Sequence, residues 1–219
     1  MHLFEQMVEA TVRGDKALCV ALAQQALDQG IDLSEAVQKG YTHGMQIVGR
    51  RFATLECFLP EVMLAAAAVN AAVETLKPHM LEQGGYEARG SVLLGTIQGD
   101  VHEIGKNIVK IMLQADGFTV HDLGSNVPVK RFVEQAEEVE ADIIAASALL
   151  TTTMTYLPEL INILSELGLR DKYRVMIGGA PVTAEWAEEI GADGYGESAT
   201  DAVTVARDLI NNKRGGRAL

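Results

Sequence analysis

From residue 91 onward the chain alternates short apolar runs with amphipathic stretches, and this alternation restricts the fold more than any other feature. Runs at 91–97, 118–122, 142–147, 173–178 and 193–195 have the length and content of buried strands. Between them, 104–116, 129–140, 154–167 and 183–190 read as helices, with a last one at 199–211. In the first of these, Ile104, Ile108, Ile111, Met112 and Ala115 recur at the spacing of one helix face. Five strand–helix units predict a parallel, doubly wound five-stranded sheet of flavodoxin-like type. In the strand order 2-1-3-4-5, the turns after strands 1 and 3 open onto one crevice, where such sheets take ligands.

The N-terminal part has no strand-like run. Phe4, Met7, Val8 and Thr11 mark a first helix ending at Gly14-Asp15, and Leu18, Ala21, Leu22 and Ala26 a second stopped by Gly30. A third begins at Leu33-Ser34, with Val37, Tyr41, Met45, Val48 and Phe52 on one face. Pro60 suits the first turn of a fourth, which carries Val62, Ala65, Ala66, Val69, Val73 and Leu76. Four such helices with short connections predict a small antiparallel bundle. Pro78 is expected to end or kink the last helix, and Gly84-Gly85 to open a hinge-like linker reaching Gly90. The predicted domains are therefore a helical domain over 1–88 and an α/β domain over 89–219.

The net charge of −12 argues against nucleic acid as a partner. Cys19 and Cys57 form no Cys-x-x-Cys pair, which points away from zinc or a disulfide framework and toward a reducing compartment. Neither a signal peptide nor an 18-residue apolar span is evident, so a cytoplasmic protein without membrane contact is expected.

The chemistry concentrates in Gly99-Asp100-Val101-His102-Glu103-Ile104-Gly105, the turn between the first strand and its helix. A P-loop needs four residues between its glycines and then Lys-Ser or Lys-Thr; here five intervene and Asn107 follows Lys106. The competing reading is a metal ligand, His102, with Asp100 placed to hold its second ring nitrogen. A lone histidine in such a turn is more often a hydrogen-bonding residue at a helix start. His2, His43, His79 and His121 are scattered, so no second ligand is at hand for bare zinc or iron. One histidine suits a metal whose other positions come from a macrocycle.

The blocks Asp100-x-His102-x-x-Gly105, Ser147-x-Leu149 and Gly178-Gly179 are separated by 41 and 28 residues. In these the chain resembles the cobalamin-binding domains that hold B12 base-off with histidine on cobalt. Phe52 and the run Phe58-Leu59-Pro60-Glu61-Val62-Met63 resemble the helical cap of cobalamin-dependent methionine synthase and of small corrinoid proteins. The resemblance implies that His102 is the lower axial ligand to cobalt, with the loop from Gly99 to Gly105, including Val101, Glu103 and Ile104, against the cofactor. It makes Asp100 the partner of His102 and puts Thr153 at the third place of the relay, where methionine synthase has serine. Ser147 would bond the displaced nucleotide base, with Leu149 and Thr151 near the corrin. Gly178, Gly179 and Ala180 would let the nucleotide tail lie against the backbone, and Gly194 and Glu197 would border the ring. Phe52, Leu59, Val62 and Met63 would cover the reactive face, although bundle core explains the same pattern.

The resemblance implies a methyl carrier whose cofactor cycles between cob(I)alamin and methylcobalamin. Its partners would be a donor-side methyltransferase, an acceptor-side methyltransferase using tetrahydrofolate or coenzyme M, and a corrinoid reductive activator. Methanol, methylamines, methylated betaines and methoxylated aromatics are all open as donors. The alternatives are the cobalamin subunit of an adenosylcobalamin mutase, a B12 light sensor, and a flavodoxin-like binding or signalling module without metal. Mutase subunits lack a helical cap, and no segment is left here for a sensor's output domain. A phosphoacceptor aspartate constellation is missing for the signalling module.

Overall fold

The computed structural model describes residues 2–82 and 88–215. The chain divides into two compact units, one drawn from residues 1–88 and 114–117 and the other from 89–113 and 118–219. Gly84-Gly85, the expected hinge, lies outside the described residues.

The first unit is helical. Helix α1 is Leu3–Val12 and α2 Lys16–Asp28. The third, α3, runs through Leu33–Glu35, Ala36–Thr42 and His43–Ala53, and α4 is Leu59–Glu82. Each start is fixed by an acidic side chain that satisfies an otherwise orphaned amide. Asp15 accepts from the Leu18 amide at 3.0 Å, Asp32 from Glu35 at 2.9 Å, and Glu61 from Phe58 at 2.7 Å.

Three expectations for this unit need correction. The third helix is not a plain α-helix: Ala36–Thr42 is π-helical, and its wider turns bring both Gly40 and Tyr41 inward. The two glycines let α1 and α3 approach closely. A Cβ on Gly40 would lie 2.8 Å from that of Met7, and one on Gly44 only 2.5 Å from that of Thr11. Tyr41 is fully buried, and its hydroxyl donates to the Cys19 carbonyl at 2.7 Å. Nor does Pro78 end α4, which continues to Glu82. Leu76 and Met80 are buried on either side of it, and their packing outweighs the roughly 3 kcal/mol that a helix-interior proline costs.

Helix α4 also departs from the expectation of no long apolar span. Leu59–Met80 is long and apolar enough, by length and composition alone, to cross a membrane. Alanine supplies much of that apolarity. The helix buries one stripe, Val62, Ala65, Ala66, Val69, Ala72, Leu76 and Met80, as a bundle helix does. Cys19 and Cys57 are both free and buried, and burial pushes the Cys19 thiol up to about 11.

The second unit is the predicted βα alternation, with ends moved by a few residues. It runs β1 Ser91–Thr96, α5 Ile104–Ala115, β2 Thr119–Asp122, α6 Val129–Glu138 and β3 Ile143–Ser147. It continues with α7 Tyr156–Glu166, β4 Arg174–Gly178, α8 Ala184–Glu189, β5 Gly194–Gly196 and α9 Ala199–Gly215. The strands are parallel in the order β2-β1-β3-β4-β5. Leu93, Ile144, Val175 and Ile177 pack with Phe132 of α6 and Leu157, Leu160 and Leu164 of α7 in the core of this unit. The register pairs Thr96 with Ser147, Ser147 with Gly178, and Gly178 with Gly196. Four strand ends therefore line up along one carboxyl edge, and the turns that leave it share a crevice.

The glycine-mediated contact of α1 with α3 is testable. Gly44→Val should destabilise the helical unit by about 1–3 kcal/mol through overpacking against Thr11. A urea titration followed by circular dichroism reads this as an earlier transition, and an unchanged midpoint would show that α1 and α3 do not approach so closely.

Candidate cofactor site

The turn from Ile97 to Glu103 joins β1 to α5 and is organised by one carboxylate. Asp100 is fully buried. Its Oδ1 accepts from the His102 amide at 3.0 Å and lies 2.7 Å from His102 Nδ1. Its Oδ2 accepts from the Leu149 amide at 2.7 Å, from the Leu150 amide at 3.3 Å and from the Thr153 hydroxyl at 2.8 Å. Burial alone would raise the carboxyl's pKa. The hydrogen bonds from Leu149, His102 and Thr153 outweigh it and hold Asp100 well below the usual carboxylate range. Because the folded value is depressed, this stabilisation is complete above the ordinary carboxylate pKa and is lost only as pH falls through the folded one.

An ionised carboxylate can only accept, so Nδ1 of His102 carries the proton of this bond, and in the neutral ring Nε2 keeps a lone pair. Nε2 has no hydrogen bond among the described residues, and the side chain is 47% exposed. The imidazole is thus fixed in tautomer and direction by a buried anion while its other nitrogen faces outward, as in a metal-ligating histidine. Val101 and Ile104, on either side, are 68% and 76% exposed, and Leu149 and Leu150 from the facing turn are also exposed. Four apolar side chains in these two turns are suited to a flat apolar ligand.

The other residues singled out by sequence divide into those the carboxylate gathers and those it does not. Thr153, although threonine stands where methionine synthase has serine, is buried and bonded to Asp100. Ser147 Oγ is 3.1 Å from Thr96 Oγ1, which donates to the His102 carbonyl at 3.0 Å. Thr96 has one proton, so Ser147 donates to Thr96 and retains its acceptor lone pairs. Thr151 is exposed, as are Glu103, Gly105, Ala180 and Glu197.

The chain itself requires the later glycines. Gly179 has φ +121°, and a Cβ there would lie 1.8 Å from the Ala148 carbonyl oxygen. A Cβ on Gly178 would lie 2.8 Å from the Gly196 carbonyl. On Gly194 it would meet Val205 of α9 at 2.4 Å, so that glycine serves sheet–helix packing. In the helical unit, Val62 is wholly buried on the α4 stripe. Phe52 and Leu59 are half-buried, while Met63 is exposed.

Sequence reasoning missed three contributors. Lys106, buried beneath the turn, bonds Asp122 at 2.6 Å and Asn107 at 2.8 Å. This is where the lysine that resembled a P-loop lysine is used. Asp122, also held by Lys110 at 3.0 Å, ties β2 to α5. Asn126, at φ +53°, accepts from the Gly99 amide. The Gly124-Ser125-Asn126 turn signal was the only hint of it.

No group of three or more histidine, cysteine or acidic side chains able to hold a metal ion exists among the described residues. The site therefore offers a metal one imidazole, and an apolar rim for whatever carries its remaining ligands. That donor set fits a corrinoid, whose macrocycle supplies the equatorial nitrogens.

A B12 binding domain family matches residues 90–204, and a second B12 binding domain family matches residues 3–77. The trimethylamine corrinoid protein 1 of Methanosarcina acetivorans is 49% identical over 197 residues, covering 90% of this chain and 91% of that protein. Among solved structures, a cobalamin-binding protein from Desulfitobacterium hafniense superposes with a TM-score of 0.80 at 31% identity, covering 95% of this chain and 98% of that one. A chain of the methanol:cobalamin methyltransferase complex from Methanosarcina barkeri gives the same score and identity, over 95% of this chain and 80% of that one. Matched along nearly its whole length, the chain belongs to the corrinoid proteins of cobalamin-dependent methyltransferase systems, and its cofactor is a corrinoid.

Proposed function

We propose that this chain is a methyl carrier that binds its corrinoid base-off with His102 on cobalt. The observation that carries the reading is the buried Asp100 carboxylate 2.7 Å from Nδ1 of the half-exposed His102, with Nε2 left free. The bound corrinoid supplies the chemistry, its cobalt taking a methyl group from one enzyme's substrate and passing it to another's. The chain's residues set the conditions. Asp100 fixes the tautomer and direction of the imidazole, and Thr153 and the Leu149 amide keep that carboxylate ionised. Ser147, with acceptor capacity left, is placed to bond the displaced nucleotide base, and Gly178 and Gly179 keep the neighbouring backbone free of side chains.

The partners on this reading are a donor-side and an acceptor-side methyltransferase and a reductive activator of the corrinoid. Methylated amines are the favoured donors, because a trimethylamine corrinoid protein is 49% identical and the methanol-system chain 31%. Tetrahydrofolate and coenzyme M both stand as acceptors. Free, buried Cys19 and Cys57 support a reducing, cytoplasmic setting.

Reconstituted with cobalamin, the protein should bind an equimolar amount and give the absorption and paramagnetic signatures of a histidine-ligated, base-off corrinoid. His102→Ala should lose the histidine signature while retaining part of the binding; an unchanged cobalt spectrum would remove the axial assignment. Asp100→Asn should keep the corrinoid but weaken histidine ligation by about 10–100-fold, the usual effect of deleting an outer-shell partner. Titrating the histidine-bound against the histidine-free spectrum measures that ratio, and parity with the parent would deny the pair a role.

A further inference from the structure

We propose that Asn126 is a positioning residue for the axial histidine, holding the backbone of the His102 turn while the Asp100 carboxylate holds the imidazole. The inference rests on the reading of His102 as cobalt ligand. The Asn126 side chain accepts from the Gly99 amide at 2.7 Å, and its own amide donates to the Asp100 carbonyl at 2.7 Å. One residue thus grips the Gly99 amide and the Asp100 carbonyl, both upstream of the histidine in the same turn, the first across 27 positions of sequence. The flanks are already secured. Val127 donates to Thr96 on one side, and Lys106 is tied to Asp122 on the other. Between those anchors the Asp100 amide is bonded back to the Ile97 carbonyl at 3.1 Å, and Gly99, at φ +80° with no side chain to restrain it, is the joint whose amide the Asn126 side chain holds.

At φ +53° asparagine is among the few side chains the backbone tolerates, but glycine would serve there with less strain, and the residue is exposed, so no core requires the amide. What the amide adds is the bond to Gly99. A ligand whose approach is pre-organised binds more strongly than one that must be ordered on binding. Asn126 therefore strengthens ligation by His102 without touching it.

The test compares Asn126→Gly, which keeps the backbone and deletes the amide, with Asn126→Asp, which restores an acceptor to the Gly99 amide. Both are loaded with cobalamin beside the parent and His102→Ala. In the cobalt(II) state, the nitrogen splitting of the paramagnetic spectrum reads the ratio of histidine-bound to histidine-free corrinoid. Asn126→Gly should lower that ratio roughly five- to tenfold, the worth of one hydrogen bond, and raise the cobalt(II)/cobalt(I) midpoint. Asn126→Asp should recover the parent's ratio. Without corrinoid, amides 99–102 should exchange hydrogen faster in Asn126→Gly, a readout that serves even if loading fails. An unchanged ratio, midpoint and exchange rate, with or without lost thermal stability, would reduce Asn126 to an ordinary turn residue and overturn the inference. A parent lacking nitrogen splitting would instead overturn the axial role of His102, and this inference with it.

Discussion

A single buried carboxylate holds the crevice together. Asp100 joins the turn after β1 to the turn after β3, about fifty residues later, through bonds to Leu149, Leu150 and Thr153 on one oxygen and His102 on the other. Taking a carboxylate out of water costs several kcal/mol. Each hydrogen bond to a charged group returns roughly 1.5–3 kcal/mol, so the burial is sustainable only because so many donors converge. The same convergence makes the site a unit. The tautomer of His102, the path of the Leu149–Leu150 backbone and the rotamer of Thr153 all answer to one negative charge.

That convergence also explains why two turns from separate βα units can present one surface. In a doubly wound sheet the crevice comes from topology, since helices leave β1 and β3 toward opposite faces. Topology alone leaves the turns free to move. Asp100 closes the gap from inside, while Thr96 and Ser147, paired in register and bonded through their hydroxyls, close it at the strand ends. Lys106, buried beneath the turn, anchors the start of α5 to the end of β2.

Much of this was legible in the sequence, for physical reasons that also mark where legibility stopped. Buried parallel strands are continuous apolar runs, so β1, β3 and β4 stood out, and their order followed from the alternation. Asp100 and His102, two residues apart in one turn, could be paired by proximity alone. Thr153 could be reached only through the family resemblance, because its tie to Asp100 spans 53 residues. Asn126 and Asp122 meet the turn across the sheet, and no local pattern reports such contacts. The π segment in α3 was hidden because periodicity counts apolar side chains, whereas Gly40 and Gly44 work by having none. Alanine in α4 gives a bundle helix the hydropathy of a membrane span, which the sequence reading had not expected.

The glycines carry the last distinction, between residues that the fold demands and residues that only a ligand can explain. Gly178, Gly179 and Gly194 each face backbone or side-chain atoms that a Cβ would strike, so the chain's own packing accounts for them. Gly105 differs. It sits in the first turn of α5, exposed, outside the left-handed region, with nothing within 4 Å of where a Cβ would be. Within a helix a glycine costs roughly 0.5–1 kcal/mol against alanine, and no packing here repays it. What a missing side chain at Gly105 does provide is clearance on the outer surface of the His102 turn, three residues from the imidazole and beside exposed Ile104. On the proposed reading, that clearance is where the macrocycle meets the loop, and Gly105 is the glycine whose presence the protein alone does not explain.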